Sequence, residues 1–251
     1  MRPTLFRYGF LKRNIDTASN LTARILSVSG ANGRVPQQEF VSFRDPSAVK
    51  SEAILFSDKE TLGGFSEAHL DSEPFPADEI PDDYPRNAPP PHFARFHGNI
   101  NIELPQNRMD VERSGFAAWR TADPGWTLFG KARFNCEALA FLALRVKADN
   151  GRYFVNLQAD SIVATDLWQH RLFAKTPGKW ETVYIPFTDF VKTHYGKVMK
   201  SQTHMPKGQL TTVGLGLIDR IPGPFNLCID RIWATNSRDL DSLQETEEAE
   251  Y

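Results

Sequence analysis

The chain has 251 residues and a net charge of -2, with 29 basic side chains against 31 acidic ones. This near balance excludes a strongly basic nucleic-acid binder and an acidic solvating chain. The longest unbroken apolar run covers residues 138–144, whereas a membrane-spanning helix needs about 20 apolar residues, so no span is predicted.

The first 35 residues form a basic segment. Residues 1–34 carry six basic side chains and one acidic one. Apolar residues at helical spacing between Leu11 and Ile25 predict a short N-terminal helix. Three interpretations stay open: a helix docked on the domain, part of a mitochondrial targeting segment, or a helix resting on an anionic membrane surface.

A short predicted strand, Ala53–Ser57, leads into a run that contains two adjacent glycines, Gly63 and Gly64. Adjacent glycines permit a tight turn or a close approach of the backbone. We expect Asp58 and Ser66 to hydrogen-bond the exposed amides of that turn. The favoured interpretation is a rigid corner capped by its own side chains, and the alternative is a recognition loop at one end of the domain.

Proline is concentrated in one stretch. Seven of the 17 prolines, and four acidic residues, fall within residues 74–91. Proline fixes φ and donates no backbone hydrogen bond, so this stretch is predicted to be a long surface loop between two strands. A domain linker is the alternative, but too little sequence precedes it to build a separate stable domain.

The remaining chain is predicted to consist of strands. Residues from Phe96 to Leu104 alternate apolar and polar side chains, which is typical of a half-buried antiparallel strand. The other predicted strands are Gly115–Thr121, Trp126–Phe129, Leu139–Ala148, Arg152–Ala159, Trp168–Lys175, Trp180–Phe187, Thr211–Ile218 and Phe225–Trp233. Strands at this spacing predict an all-β fold in residues 36–236, an antiparallel β-sandwich of jelly-roll type preceded by the short helix.

Two connections carry turn signals, and an acidic tail closes the chain. Asp149-Asn150-Gly151 predicts a hairpin, because Asn-Gly tolerates positive φ at both central turn positions. Pro177-Gly178 fits the centre of a type II turn and predicts a second hairpin. Residues 237–251 are acidic and poor in apolar side chains, so we predict that they are disordered.

No catalytic motif is recognisable, and the chain is predicted not to be an enzyme. Cys136 and Cys228 lie in apolar surroundings and are interpreted as buried thiols, with a single disulfide as the alternative. The six histidines have no tight metal-ligand spacing, so neither a metal nor a cofactor is predicted. The five tryptophans are expected to pack in the core or at its rim, although exposed tryptophan on a sandwich can stack on sugar rings.

Six short segments occur in the order found in a known family. They are Asp58-Lys59-Glu60-Thr61-Leu62-Gly63-Gly64-Phe65-Ser66, Phe96-His97-Gly98-Asn99-Ile100, Gly115-Phe116-Ala117-Ala118-Trp119-Arg120, Gly151-Arg152-Tyr153, Trp180 to Phe187 with Phe190, and Gly223-Pro224-Phe225 through Ile232. Across residues 40–235 the set resembles the CIA30 family, named after the complex I intermediate-associated protein of 30 kDa. Asn150 and Ser114 depart from the family pattern, which often has aspartate and glycine there.

The resemblance implies a galactose-binding-like jelly roll and a non-catalytic assembly factor for mitochondrial respiratory complex I. Such a factor would bind membrane-arm assembly intermediates and other assembly factors at the matrix side of the inner membrane, with peripheral membrane association and no nucleic acid. The positions that match the family pattern are candidate binding residues, most of them expected to be structural: Asp58, Gly63, Gly64, Ser66, Arg120, Arg152 and Trp180. The alternative is a carbohydrate-binding β-sandwich module or a sugar-acting enzyme.

Overall fold

The computed structural model describes residues 35–106, 108–127, 130–161, 165–194 and 196–237. The predicted N-terminal helix and the predicted disordered tail lie outside these residues and stay predictions. The strands are β1 (Gln38–Ser42), β2 (Ala53–Ser57), β3 (Glu67–Pro74), β4 (His92–Ile100), β5 (Ala117–Thr121), β6 (Trp126–Thr127), β7 (Gly130–Lys131), β8 (Phe141–Ala148), β9 (Tyr153–Ala159), β10 (Asp166–Arg171), β11 (Trp180–Pro186), β12 (Val191–His194), β13 (Lys197–Val198), β14 (Leu210–Leu217) and β15 (Gly223–Thr235). Two single-turn helices, α1 (Ala48–Glu52) and α2 (Asp58–Leu62), precede β2 and β3, and 3₁₀ turns occupy Phe187–Asp189 and Lys207–Gln209.

The fold consists chiefly of two antiparallel sheets. Sheet I has the strand order β11-β8-β15-β4-β3, with β1 paired to the C-terminal half of β15. Sheet II has the order β13-β12-β10-β9-β14-β5-β2. Every strand pair among the described residues is antiparallel, so the predicted antiparallel sandwich is confirmed.

Alternating side chains from both sheets fill the space between them. On β9 every second residue from Tyr153 to Ala159 is buried, and the intervening residues are partly exposed. Leu144 of sheet I and Trp119 of sheet II are fully buried in the same core cluster. Phe43 meets Trp119 edge-to-face, with ring centroids 5.3 Å apart. Full burial of one such side chain contributes about 2 kcal/mol, so the period-two pattern largely determines which face of each strand points inward.

The hairpin predicted at Asp149-Asn150-Gly151 is wrong. Strand β8 lies in sheet I and β9 in sheet II, and neither Asn150 nor Gly151 has a positive φ. The Asp149 side chain explains the difference, because its Oδ1 accepts the Gly151 N–H (2.7 Å) and the Tyr153 hydroxyl (2.9 Å). Its Oδ2 accepts the Asn226 N–H of β15 (2.7 Å). These bonds carry the chain across the edge of the sandwich instead of reversing it within one sheet.

The second predicted hairpin is wrong in the same way, although its turn forms as expected. Gly178, at the third position of the turn, has φ 80°, and the Lys179 N–H donates to the Thr176 carbonyl at 3.1 Å. These are the features of the predicted type II turn. Strand β10 nevertheless belongs to sheet II and β11 to sheet I. A local turn signal therefore identified the reversal of the chain but not the sheet that the next strand joins.

Replacing Asp149 with alanine should lower the free energy of unfolding by about 3 kcal/mol, because the buried Tyr153 hydroxyl and two backbone N–H groups lose their acceptor. Urea denaturation followed by circular dichroism measures the change. Asp123→Ala, at an exposed position, is the matched control and should change stability by about 0.5 kcal/mol or less. Equal stability of the two variants would contradict this account of the crossing.

Candidate functional site

The segment between β2 and β3 folds back on itself in two steps. Helix α2 begins at Asp58 directly after β2, and Gly63 ends it in the left-handed region with φ 77°. The Gly64 N–H then donates to the Asp58 carbonyl at 3.1 Å. A Cβ at Gly64 would lie 2.6 Å from Asp58 Oδ2. Glycine is therefore needed at both positions, first for the backbone conformation and then for the close approach to Asp58.

The Asp58 carboxylate links the β2–β3 connection to a second loop by hydrogen bonds. Its side chain is buried, and its Oδ1 accepts the Ser66 N–H at 3.1 Å. Its Oδ2 accepts the N–H of Gly115, in the β4–β5 connection, at 2.6 Å. Hydrogen bonds from backbone N–H groups to an ionised carboxylate are stronger than neutral ones. One side chain thereby joins the β2–β3 and β4–β5 connections.

Three further side chains extend these contacts. Ser66 Oγ donates to the Asn101 carbonyl and accepts the Asn101 N–H, both at 3.1 Å. Ser114 Oγ donates to the Glu103 carbonyl at 2.8 Å. Arg220 Nε, from the β14–β15 connection, donates to the Ser114 carbonyl at 3.1 Å. We call the joined segments 57–66, 101–103, 114–115 and Arg220 the Asp58 corner.

Four of the seven candidate binding residues therefore meet in one unit. Asp58, Gly64 and Ser66 are buried, and Gly63 is exposed. Asp58 hydrogen-bonds an amide of its own turn, as expected, but the Ser66 hydroxyl bonds the extension of β4 instead. This arrangement has the geometry of a rigid corner, since its polar groups face one another and not solvent.

The other three candidates lie apart from this unit. The register Ser57–Ala117–Leu217–Tyr153 across sheet II places Arg152 at the same end of the sandwich. It lies roughly 14 Å from Asp58, the width of three strand spacings, and it is exposed.

Arg120 and Trp180 lie on opposite outer faces. Arg120 is on β5 in sheet II, where its Nη1 donates to the Thr121 carbonyl at 3.1 Å. Trp180 is on β11 in sheet I, and its indole Nε1 donates to Glu79 of the proline-rich loop at 2.8 Å. The seven candidates therefore do not form one site.

Exposed apolar side chains gather beside the Asp58 corner, and sequence reasoning missed them. We call them the end rim: Phe65, Ile102, Leu104 and Ile221, which are 46%, 38%, 47% and 51% exposed. Each of the four lies within a hydrogen-bonded segment of the corner or directly follows one. An accumulation of exposed apolar side chains marks an interaction site more often than scattered ones do. Their irregular spacing gives no period, so only the folded corner brings them together.

The reactive groups of the body are mostly occupied or suppressed. Both cysteines are free and buried, and burial raises the pKa of the Cys136 thiol to about 12 and that of Cys228 to about 11. Within the described ranges, no three His, Cys, Asp or Glu side chains are grouped as a metal site. No helix in the part of the chain that the structure describes is long and apolar enough to cross a membrane.

The tryptophans are mostly packed, as expected. Trp119, Trp168 and Trp233 are buried, Trp180 is partly buried, and Trp126 is 71% exposed. Of the five tryptophan side chains, Trp126 is therefore the one that is mostly exposed. A row of exposed rings, of the kind that stacks on a sugar chain, is not formed by these residues.

Comparison with known sequences identifies related proteins. The family model described as Complex I intermediate-associated protein 30 (CIA30) matches residues 41–229. A Neurospora crassa protein named "Complex I intermediate-associated protein 30, mitochondrial" is 41% identical over 96% of this chain and 88% of its own length. A Mus musculus protein of the same name is 26% identical over 83% of this chain and 61% of its own length.

Comparison with solved structures identifies the fold. The family 11 carbohydrate-binding module of a cellulosomal cellulase from Clostridium thermocellum superimposes with a TM-score of 0.50. The match covers 82% of this chain and 97% of that module, at 13% sequence identity. The likeness confirms the galactose-binding-like jelly roll, and at this identity it concerns the fold alone.

Replacing Asp58 with asparagine should lower the free energy of unfolding by about 2–3 kcal/mol, because an amide group would face a backbone N–H in a buried site. Urea denaturation measures the loss, and hydrogen exchange at the Ser66 and Gly115 amides locates it. Asp123→Asn, the same substitution at an exposed position outside the corner, is the control and should retain wild-type exchange at both amides. Unchanged protection of Ser66 and Gly115 in Asp58→Asn would refute the role given to this carboxylate.

Proposed function

The chain belongs to the family of complex I intermediate-associated protein 30, and we propose that it is a non-catalytic assembly factor for mitochondrial respiratory complex I. In this role it binds membrane-arm assembly intermediates, together with other assembly factors, until further subunits join. The observation that carries the proposal is the family match over residues 41–229, supported by 41% identity to the Neurospora crassa protein. The names of these relatives also support a mitochondrial location. We place the protein at the matrix side of the inner membrane.

The environments of the Asp58 carboxylate and of the two cysteine thiols support a role in binding rather than in catalysis. Each oxygen of the buried Asp58 carboxylate accepts a backbone N–H group. The two thiols are buried with raised pKa values. A binding protein needs instead a surface that keeps its shape, because ordering a flexible loop lowers affinity.

The end rim is the contact surface that we assign to the assembly intermediate. Its apolar side chains are held by the Asp58 corner, so little conformational freedom is lost when they are covered. A subunit of a membrane arm offers apolar surface before its neighbours are in place, which matches an apolar rim. Exposed Arg152 lies at the same end and adds a positive charge to it.

The carbohydrate-binding alternative is not favoured. It predicts several exposed tryptophan rings along a groove, whereas three of the five are buried and Trp180 is hydrogen-bonded to Glu79. The likeness to the carbohydrate-binding module does not transfer its ligand, since folds of this kind host many functions.

Deleting the gene should reduce fully assembled complex I and cause membrane-arm intermediates to accumulate on native gels of mitochondrial membranes. Reintroducing the full chain should restore assembly. Normal amounts of complex I in the deletion strain would refute the proposed function, and so would full rescue by an unrelated protein fused to residues 1–35 of this chain.

The double variant Phe65→Ser and Leu104→Ser should reduce co-purification of complex I intermediates about tenfold or more, because two anchoring apolar contacts are lost. The control is Phe173→Ser with Val198→Ser, which removes side chains of comparable exposure, 57% and 68%, from the connection after β10 and from β13. Both variants should keep the wild-type Tm. Equal capture of intermediates by the two double variants would exclude the end rim as the contact surface.

A further inference from the structure

The proline-rich connection between β3 and β4 lies across the outer face of sheet I. We call residues 75–91 the strap. Its neck is closed by the Phe75 N–H, which donates to the Pro91 carbonyl at 2.9 Å. The N–H groups of Glu79, Tyr84 and Ala88 each donate to a proline carbonyl three residues earlier, at 3.0–3.1 Å. The strap is therefore a compact loop with its own turns. Between the two ends that the Phe75–Pro91 hydrogen bond joins, the loop contacts the sheet chiefly through side chains.

Glu79 makes the first attachment. Its Oε1 accepts from Lys147 Nζ of β8 at 2.6 Å, and its Oε2 accepts from Trp180 Nε1 of β11 at 2.8 Å. The hydrogen bond from Lys147 lowers the pKa of Glu79, against the effect of burial. Beside it the Trp180 ring packs on Phe75, with ring centroids 4.9 Å apart, and meets Phe93 edge-to-face. One end of the strap thus covers a candidate binding residue, Trp180.

Asp83 makes the second attachment. Arg44 Nη2 donates to its Oδ1 at 2.8 Å, and Arg231 Nη2 lies 2.9 Å from its Oδ2. Burial raises the pKa of Asp83, but the hydrogen bond and charge of Arg44 outweigh it and the pKa is lowered. Two guanidinium groups therefore hold one carboxylate whose side chain is 46% exposed.

The surface beneath the strap carries more positive than negative charge. Arg145 and Arg231 lie directly opposite each other on β8 and β15, an unfavourable position for two like charges. Buried Asp230 lies between Arg145 and Arg44, with its carboxylate 3.5 Å from Arg145 Nε and 2.8 Å from Arg44 Nε. Together with Lys147 these arginines make four cations. Of the described ion pairs that these cations make, those with Asp230 are the ones that do not involve the strap.

We propose that this surface is a binding site for an acidic segment of a partner protein, and that the strap occupies it in the free protein. The strap shows what such a segment must offer: two carboxylates four residues apart, one for Lys147 and Trp180 and one for Arg44 and Arg231. Displacement is feasible because both attachments are partly exposed ion pairs, which contribute little and weaken with salt. The proposal concerns sheet I and does not depend on the partner being a complex I intermediate.

The test uses the full chain and a fluorescent peptide of residues 76–90 as the probe. In the Glu79→Gln, Asp83→Asn variant the strap should leave its site more often, so fluorescence anisotropy should show roughly tenfold tighter peptide binding than in wild type. A peptide carrying the same two substitutions is the matched control and should not bind. Adding Lys147→Met and Arg231→Met to the loosened protein should abolish binding. Hydrogen exchange at Glu79, Tyr84 and Ala88 should become faster in the loosened variant.

Equal binding to wild type and variant, binding that survives loss of Lys147 and Arg231, or unchanged exchange in the strap would each overturn the proposal. A second peptide, of residues 238–251, tests the chain's own acidic tail. If it binds the loosened variant more tightly than the strap peptide does, the occupant is the tail and the partner assignment is wrong. These measurements use purified protein, so their outcome is independent of complex I levels in the deletion strain.

Discussion

The arrangement of one end of the sandwich depends on a buried carboxylate. Among the described residues, the Asp58 carboxylate accepts two backbone N–H groups, which come from different connections, and pairs with no cationic side chain. A buried carboxylate is tolerated only when such donors satisfy it. The backbone conformation of Gly63 and the missing Cβ of Gly64 follow from this requirement, because both bring the chain against Asp58. The exposure of Phe65 is a further consequence, since its two neighbours are held inward.

Asp149 performs a related task elsewhere at the same end. Its carboxylate accepts N–H groups on both sides of a crossing between the sheets, and it also accepts the buried Tyr153 hydroxyl, whose pKa is raised by burial and by the nearby negative charge. Both aspartates use a short side chain to join segments that are distant in sequence. Jelly-roll connections cross from sheet to sheet, so neighbouring strands cannot supply these backbone partners, and side chains must do so.

Sequence periodicity predicted where the strands lie in the chain better than which strands pair with one another. The alternation in β8 and β9 was sufficient to place them, because their outward residues are mostly only partly buried and the period is local. The hairpin at Asn150-Gly151 failed, since the competing bonds of Asp149 reach Asn226, 77 residues away. The strand predicted at 96–104 instead spans His92–Ile100, because Asn101 leaves the ladder to bond Ser66. Strand β3 was missed because its outward residues are charged and it forms an edge of sheet I.

The glycine pair and Asp58 were recognisable as a corner, whereas the end rim depends on contacts between three connections that no local pattern encodes.

The two surfaces assigned here differ in what must happen before a partner can bind. The end rim is already exposed on a corner whose polar groups are satisfied internally, so a partner gains most of the free energy of covering apolar area. The surface of sheet I is occupied by Glu79 and Asp83, and a partner there must first displace groups that already neutralise the same cations. Its apparent affinity is reduced by the fraction of molecules in which the strap is bound. A partner with both an apolar and an acidic region would therefore engage the rim first, and the raised local concentration of its acidic region would then favour displacement of the strap.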